Sequence, residues 1–348
     1  MSMVGSSVCR WLTAATGGAA AVALLTGCGA ALSGTSSSGA KTLVVYDGQR
    51  PATTQALAAA FTKATGITVR IRNGSDPQLA GQIEQEGAHS PADVVFTEDS
   101  PAMTALSQKG LLAPAPAAAV REIPADYRSP RNDWTGVAGR ETVLYYNPGQ
   151  TDAARLPGSL LDLASPAWKG TIGVAPATAD FQSQVSAVIA LEGPDKAKSW
   201  LEGIKRNARV YQNNNAVLQA VDRGQVDTGI AYQPLWYRAR AESPSNTAHV
   251  RMHYFAKGDP GAFFALACAG ELRNAPDKAA AARFIDFLTS VEGQNDLASV
   301  KDFEYPLNPK ATPAPDLRPT GELGVPDVPV AKLDGTQAQQ LLSQVGLI

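Results

Sequence analysis

Two strand-like runs of this chain end on polar or charged side chains suited to meeting a ligand. The first, Thr42-Leu43-Val44-Val45-Tyr46-Asp47-Gly48, passes through Asp-Gly to Gln49 and Arg50 and then into a helix-patterned stretch at residues 53–64. The second, Ala92-Asp93-Val94-Val95-Phe96-Thr97, ends on Glu98-Asp99. Ligands of open α/β sheets bind just beyond the carboxyl ends of strands, so Gln49 and Arg50 stand where a ligand is expected. Tyr232 follows the run 226–231 in the same way. A guanidinium at such a place would grip a carboxylate or phosphate; the alternatives for Arg50 are a solvated surface charge or a pair with Asp47. Thr178-Ala179-Asp180 opens a helix pattern that runs through Leu191. A hydroxyl and free N–H groups at a helix start favour an anion, although Thr178 and Asp180 are also preferred capping residues.

Residues for covalent or metal-assisted chemistry are sparse. The three histidines are His89, His249 and His253, and none accompanies a GxSxG, HExxH or Cys/His pattern. His249 and His253 are four apart, but the run between them alternates as a strand, which separates them too far for one tetrahedral metal. Both read as surface residues. Cys268 lies in the strand-like run Phe263-Phe264-Ala265-Leu266-Ala267-Cys268-Ala269 and reads as core. The expectation is a protein without catalysis of its own and without a resident cofactor.

The elements that carry these residues alternate apolar strand-like runs with amphipathic helix patterns, the signature of an α/β fold with much parallel sheet. Strands are expected at 43–46, 67–72, 92–97, 134–138, 142–146, 171–175, 226–231, 249–255 and 263–267, the fourth and fifth flanking Gly139-Arg140. Helices are expected at 53–64, 76–86, 101–108, 176–191, 195–206, 216–223, 277–289 and 336–345, and residues 114–130 read as an irregular loop. Asp76 is expected to cap its helix, with Pro77 at the first helical position. Trp200, Leu201 and Ile204 recur at helical spacing and read as core. The chain has 348 residues, a formal charge of −2 and 18% charged residues, so no basic field points to nucleic acid.

The first 41 residues read as a leader and a tether. Arg10 precedes an apolar run, Trp11 to Leu25, that is too short for a comfortable membrane span and suits a signal peptide. It ends in Leu25-Thr26-Gly27-Cys28, which resembles the lipobox of bacterial lipoproteins. That resemblance implies cleavage before Cys28 and a lipid on its thiol. Residues 28–41 have a flexible tether composition. With Cys9 lost and Cys28 lipidated, Cys268 alone remains and no intrachain disulfide can form.

Several segments taken together resemble one family. Tyr46-Asp47-Gly48-Gln49, Ala80-Gly81-Gln82-Ile83, Ser90-Pro91-Ala92-Asp93-Val94, Gly139-Arg140, Pro166-Ala167-Trp168-Lys169, Leu218-Gln219-Ala220-Val221, Asp259-Pro260-Gly261-Ala262 and Tyr305-Pro306-Leu307-Asn308-Pro309 occur in the order found in the ferric-iron-type solute-binding proteins of bacterial ABC importers. The resemblance implies a two-lobe periplasmic-binding-protein fold of the Venus-flytrap kind, with crossing hinge strands and closure around a ligand. It divides the chain into lobe 1 at 42–140 with a return segment at 265–315, and lobe 2 at 141–264 with a C-terminal segment at 316–348. It also implies a monomer, anchored by its lipid at the extracytoplasmic face of the membrane, that hands a solute to a membrane permease.

The same resemblance assigns site residues. Arg50 stands where iron-binding members have a ligating histidine, and Glu98 matches their ligating glutamate. The paired tyrosines of those members fall on Pro234 and Leu235. Thr178 matches the anion-binding run, and Asn214 an asparagine that reaches the anion. Fe(III) is a hard cation that wants anionic oxygen, and guanidinium, Pro and Leu offer none. The expected ligand site is therefore Gln49, Arg50, Glu98, Arg140, Thr178, Asn214 and Tyr232, taking a small anionic or zwitterionic solute. Arg140 has a structural pair with Glu98 as its alternative. Ferric iron, bare or chelated, is the second reading, with Glu98, Tyr232 and Tyr146 as its ligands; a surface adhesin or scaffold is the third.

Overall fold

A computed structural model describes residues 42–348; the leader, the lipidation candidate Cys28 and the tether lie outside the described residues. In chain order the first elements are β1 (Thr42–Asp47), α1 (Pro51–Thr65), β2 (Thr68–Asn73), α2 (Asp76–Glu86), β3 (Val94–Thr97), α3 (Ser100–Gln108), α4 (Ala117–Glu122) and β4 (Thr135–Tyr146). Next come β5 (Ile172–Val174), α5 (Ala179–Glu192), α6 (Pro194–Asn207), β6 (Ala208–Val210), α7 (Asn214–Asp222), β7 (Thr228–Tyr232), α8 (Gln233–Glu242) and β8 (Arg251–His253). The chain finishes with β9 (Phe264–Glu271), α9 (Lys278–Thr289), α10 (Val291–Ser299), β10 (Tyr305–Pro306) and α11 (Gly335–Val345).

The strands join in the order β2-β1-β3-β9-β4-β7-β5-β6, with β8 and β10 also paired to β4. β1 runs parallel to β2 and β3, and β5 runs parallel to β6 and β7. Alternate residues of β1 feed cores on opposite faces. Leu43 and Val45 pack with Leu57, Phe61 and Phe284, while Val44 and Tyr46 pack with Leu79, Ile83 and Met103. Burial of both faces is why the run reads as continuously apolar rather than alternating. A separate core under β5 gathers Val185, Trp200, Leu201 and Ile204 with Leu341 and Leu342 of the C-terminal helix. Cys268 is fully buried in β9.

Several expectations need correction. The two strands expected around Gly139-Arg140 are one strand of 12 residues, β4, buried except at its last position. Its first part pairs with β9 and β10 and its last part with β7 and β8, so this strand belongs to both halves of the sheet. The polar break is tolerated because Arg140 and Glu141 find charged partners, described below, and Gly139 is the residue that fits: a Cβ there would lie 2.0 Å from the Phe264 ring. The expected loop at 114–130 holds α4, whose Ala119 is buried and whose backbone N–H bonds to Asp286. Only Arg251–His253 of the 249–255 run is strand. His249 is exposed, and the His253 ring lies 2.8 Å from the Pro157 carbonyl. Ser75, not Asp76, is the N-cap of α2, and its N–H donates to Gln78. α10 was not anticipated, because Ser290 ends α9 and caps α10 without an intervening loop signal.

Candidate functional site

The carboxyl ends of β3 and β7, the turn after β5 and the middle of β4 converge on one cleft of about 220 Å³. Five of the anticipated residues line it: Glu98, Arg140, Thr178, Asn214 and Tyr232. They are joined by Ala179, Asp180, Asn213, Asn215, Pro234, Leu235 and Arg238.

Arg140 organises the site. It is only 3% exposed, and its guanidinium reaches Asp99 at 2.7 Å, Glu98 at 3.0 Å, Glu304 at 3.4 Å and Asp180 at 3.6 Å. It also donates to the Glu98 carbonyl at 2.6 Å and stands 5.3 Å over the Tyr232 ring. One buried cation thus faces four carboxylates, and the alternative reading of Arg140 as a partner of Glu98 describes part of what it does. Burial raises the carboxyls and Arg140 opposes that rise. The balance leaves Glu98 and Asp99 pushed up to about 7, Asp180 to about 6 and Glu304 to about 8. Asp76, behind them, accepts the Glu98 and Asp99 backbone N–H groups and is also raised to about 7 by burial. At neutral pH this acidic floor carries protons it would shed to a cation.

The lobe-facing helix starts are partly spent. Thr178 is the N-cap of α5: its hydroxyl accepts from Phe181 N–H and donates to the Ala175 carbonyl. Asp180 is not a cap; it bonds Asn214 at 2.5 Å and faces Arg140. Asn213 caps α7, and the Asn214 amide is committed to Asp180. Burial and the Asp99 and Asp180 charges hold the Tyr232 phenol well above its usual range, so it is a hydroxyl and not a phenolate at neutral pH.

Gln49, Arg50 and Tyr146 stand apart from this cavity. Gln49 is buried and donates to Glu304 at 3.1 Å, so it supports the floor without lining the cleft. Arg50 pairs with Asp302, not with Asp47, whose carboxylate is taken up by Gln49 N–H, Thr54 and Asn73. Arg50 lines an adjoining pocket of about 500 Å³ that shares Asn215, Leu235 and Arg238 with the cleft. Tyr146 pairs with Thr228 at the start of β7, whereas Tyr232 pairs with Thr142 at the other end; about 13 Å of strand separates them.

Sequence reasoning missed Arg238, Asp302 and Glu304. Arg238 lies one helical turn after Pro234 and Leu235 on α8, a spacing that would have flagged it. It reaches Asp302 at 2.9 Å. Asp302 lies between Lys301 and Phe303, two non-glycine residues at positive φ (53° and 59°). Such backbone persists where the surroundings over-determine it, and here it aims Asp302 at Arg50, Thr53 and Arg238.

As a metal centre the cleft is poorly supplied. Among the described residues, no group of three or more His, Cys, Asp or Glu side chains is placed to hold a metal ion. Pro234 and Leu235 present apolar surface, and the nearest carboxylates are committed to Arg140. The site combines acidic oxygens, the guanidinium of Arg238, itself paired with Asp302, and an apolar wall.

A family model described as bacterial extracellular solute-binding protein matches residues 42–299. The chain is 38% identical over 306 residues to the Fe(3+)-binding periplasmic protein of Serratia marcescens, covering 88% of this chain and 90% of that one. Among solved structures, iron-bound HitA from Pseudomonas aeruginosa is 38% identical with a TM-score of 0.83, over 88% of this chain and 99% of that one. The Trichodesmium protein solved in complex with iron and citrate ligands is 29% identical with a TM-score of 0.77, again over 88% and 99%.

Proposed function

This chain belongs to the bacterial extracellular solute-binding proteins, on their ferric-iron-binding branch, and from that premise we propose that its cargo is a small zwitterionic organic solute and not a bare ferric ion. The observation that carries this reading is the lining of the cleft: Pro234 and Leu235 stand where the resemblance expects two phenolates, beside carboxylates already held by Arg140. An ammonium of the solute would draw protons off Glu98 and Asp180, and its anionic group would meet Arg238. An isolated anion is less well served, because the positive charge of Arg140 is more than offset by its neighbours.

The receptor reading brings further proposals. We take lobe 1 as 42–140 with 265–315 and lobe 2 as 141–264 with 316–348, a division supported by the change of strand partners along β4. Leu317 packs on the first lobe's core, so the C-terminal segment enters lobe 2 only after crossing it. The protein acts as a monomer held by Cys28 at the extracytoplasmic face, delivers solute to an ABC permease, and performs no turnover.

A second reading is favoured by the Trichodesmium relative with iron and citrate. A chelator would bring its own oxygens, and the pocket adjoining the cleft has room for it. Two measurements separate these readings. Full-length protein titrated with Fe(III) and phosphate should develop no visible tyrosinate-to-iron band, and with Fe(III)–citrate should bind weakly or not at all. A strong band lost in Tyr232→Phe would overturn the zwitterion reading. In a thermal-melt panel, at least one zwitterionic solute should stabilise the protein by about 2.7 kcal/mol at a hundredfold excess over Kd, and Glu98→Gln or Arg238→Ala should abolish it. No stabilisation by any small solute would favour an adhesin or scaffold.

A further inference from the structure

The cleft of about 220 Å³ and the adjoining pocket of about 500 Å³ share Asn215, Leu235 and Arg238, so they form one elongated space. Its cleft end presents the partly exposed carboxylates of Glu98 and Asp180. Its other end presents Arg50 and Arg238, whose side chains are 37% and 20% exposed and so within reach of a solute. Both guanidiniums donate through Nη1 to the same oxygen of Asp302, Oδ1, while Asp302 Oδ2 accepts from the Thr53 hydroxyl. One buried carboxylate thus holds two cations side by side and neutralises only one of them. Among the described residues, neither the Nε nor the Nη2 of either guanidinium has a hydrogen-bond partner. That edge of a guanidinium, with its two parallel N–H groups, matches a carboxylate bidentately. The other charges of the pocket add little: Asp222 accepts from His249 N–H, and Arg223 and Glu242 are exposed, opposite in sign and screened by salt. Leu218, Leu235 and Ala239 give the pocket an apolar wall.

We propose that the solute is an extended zwitterion, an ω-amino carboxylate, whose carboxylate is gripped by Arg50 and Arg238 together and whose ammonium lies at Glu98 and Asp180. This rests on the zwitterion reading of the cleft and narrows it to a substrate class. Arg50 lines only the adjoining pocket, and Glu98 and Asp180 line only the cleft. A solute with both charges on one carbon therefore reaches Arg238 but not Arg50, whereas an aliphatic spacer crosses the junction at Leu235 and buries its methylenes there. Asp302 is a positioning residue in this arrangement. It touches no solute, and the left-handed backbone on either side of it fixes the separation of the two guanidiniums.

The experiment is calorimetric titration of the full-length protein with ε-aminocaproate, ε-aminocaproamide and glycine, at constant ionic strength set by sodium chloride. The amide keeps the ammonium and the spacer but lacks the anionic end. The unaltered protein should bind ε-aminocaproate roughly tenfold or more tighter than either the amide or glycine. In Arg50→Gln the acid and the amide should fall within about threefold of each other. Arg50→Lys, which keeps the charge without the fork, should restore only part of the difference. Both variants leave the Arg238–Asp302 pair in place, and a thermal melt of each verifies that it is folded. Binding of ε-aminocaproate that is equally tight in the unaltered protein and in Arg50→Gln would overturn the role of Arg50, and glycine binding as tightly as ε-aminocaproate would overturn the spacer. Neither result touches the zwitterion reading of the cleft, whose own test responds to Glu98 and Arg238. Failure of all three probes to bind would overturn this inference and leave the cleft reading to its thermal-melt panel.

Discussion

Replacing Arg140 by methionine keeps most of the side-chain volume and removes the one cation that four carboxylates face at 2.7–3.6 Å. Breaking a buried ion pair by deleting one partner costs about 3–5 kcal/mol, because the remaining charge stays desolvated. Here the remaining charges can escape by taking up protons, and their pKa values, already about 6 to 8, will rise further once Arg140 no longer opposes burial. At pH 8 the variant should lose the full ~3–5 kcal/mol, a fall of roughly 6–20 °C in Tm at about 2–4 °C per kcal/mol. Each proton that the folded variant holds and the unaltered protein lacks returns about 1.4 kcal/mol per pH unit, and because the unaltered carboxyls fill at about 6–8 that difference lasts about one unit, so the loss should shrink by about 1.4 kcal/mol per such carboxyl between pH 8 and pH 5.5. Thermal melts of Arg140→Met against the unaltered protein at the two pH values read this directly. A loss of equal size at both would mean that Arg140 matters for packing and not as a counter-charge. A loss below about 1 kcal/mol at pH 8 would refute the buried network altogether.

The unaltered protein without solute should itself gain stability as pH falls from 8 to 5.5. Asp76, Glu98, Asp99, Asp180 and Glu304 titrate at about 6–8 in the fold, above their ordinary range, so the folded state binds more protons than the unfolded one through this window. A Tm that drops on acidification from 8 to 5.5 would contradict this sign. Gln294 is fully buried and ties four backbone groups together: its amide donates to the Val137 and Leu288 carbonyls and its carbonyl accepts from Leu307 and Asn308 N–H. Gln294→Leu should cost at least ~3 kcal/mol in urea unfolding, since each stranded buried group costs about 1–3 kcal/mol; a loss under ~1 kcal/mol would show that these groups find other partners.

Periodicity carried the strands and helices that bury an apolar face, such as β1 with α1 or α6 with its Trp200, Leu201 and Ile204 stripe. It failed where a buried element carries charge. Gly139-Arg140-Glu141 reads as an interruption, yet inside β4 the two charges are matched by residues distant in sequence: Arg140 by Asp99 and Glu304, and Glu141 by Arg318 at 3.4 Å. The same limit applied to the site. Residues at strand ends, Glu98 and Tyr232, could be placed beside a cleft from local pattern. Asp302 and Glu304 could not, because their position depends on a left-handed backbone between α10 and β10 that no periodicity announces. The partner of Arg50 was illegible for a related reason: Asp302, which takes its charge, is 252 residues away.

The unbroken passage of β4 through both parts of the sheet has a mechanical consequence. Its neighbours change from β9 and β10 to β7 and β8 near Glu141 and Thr142, while its own backbone continues without a turn. Rotation of one part against the other must therefore be taken up as twist along this ribbon, so it behaves as a torsion bar and not as a free pivot. Arg140 sits next to the point where the partners change and touches carboxylates from the Glu98-Asp99 end, from Asp180 and from Glu304. The restoring force of the bar and the electrostatic hold on the cleft thus act through neighbouring residues of a single strand.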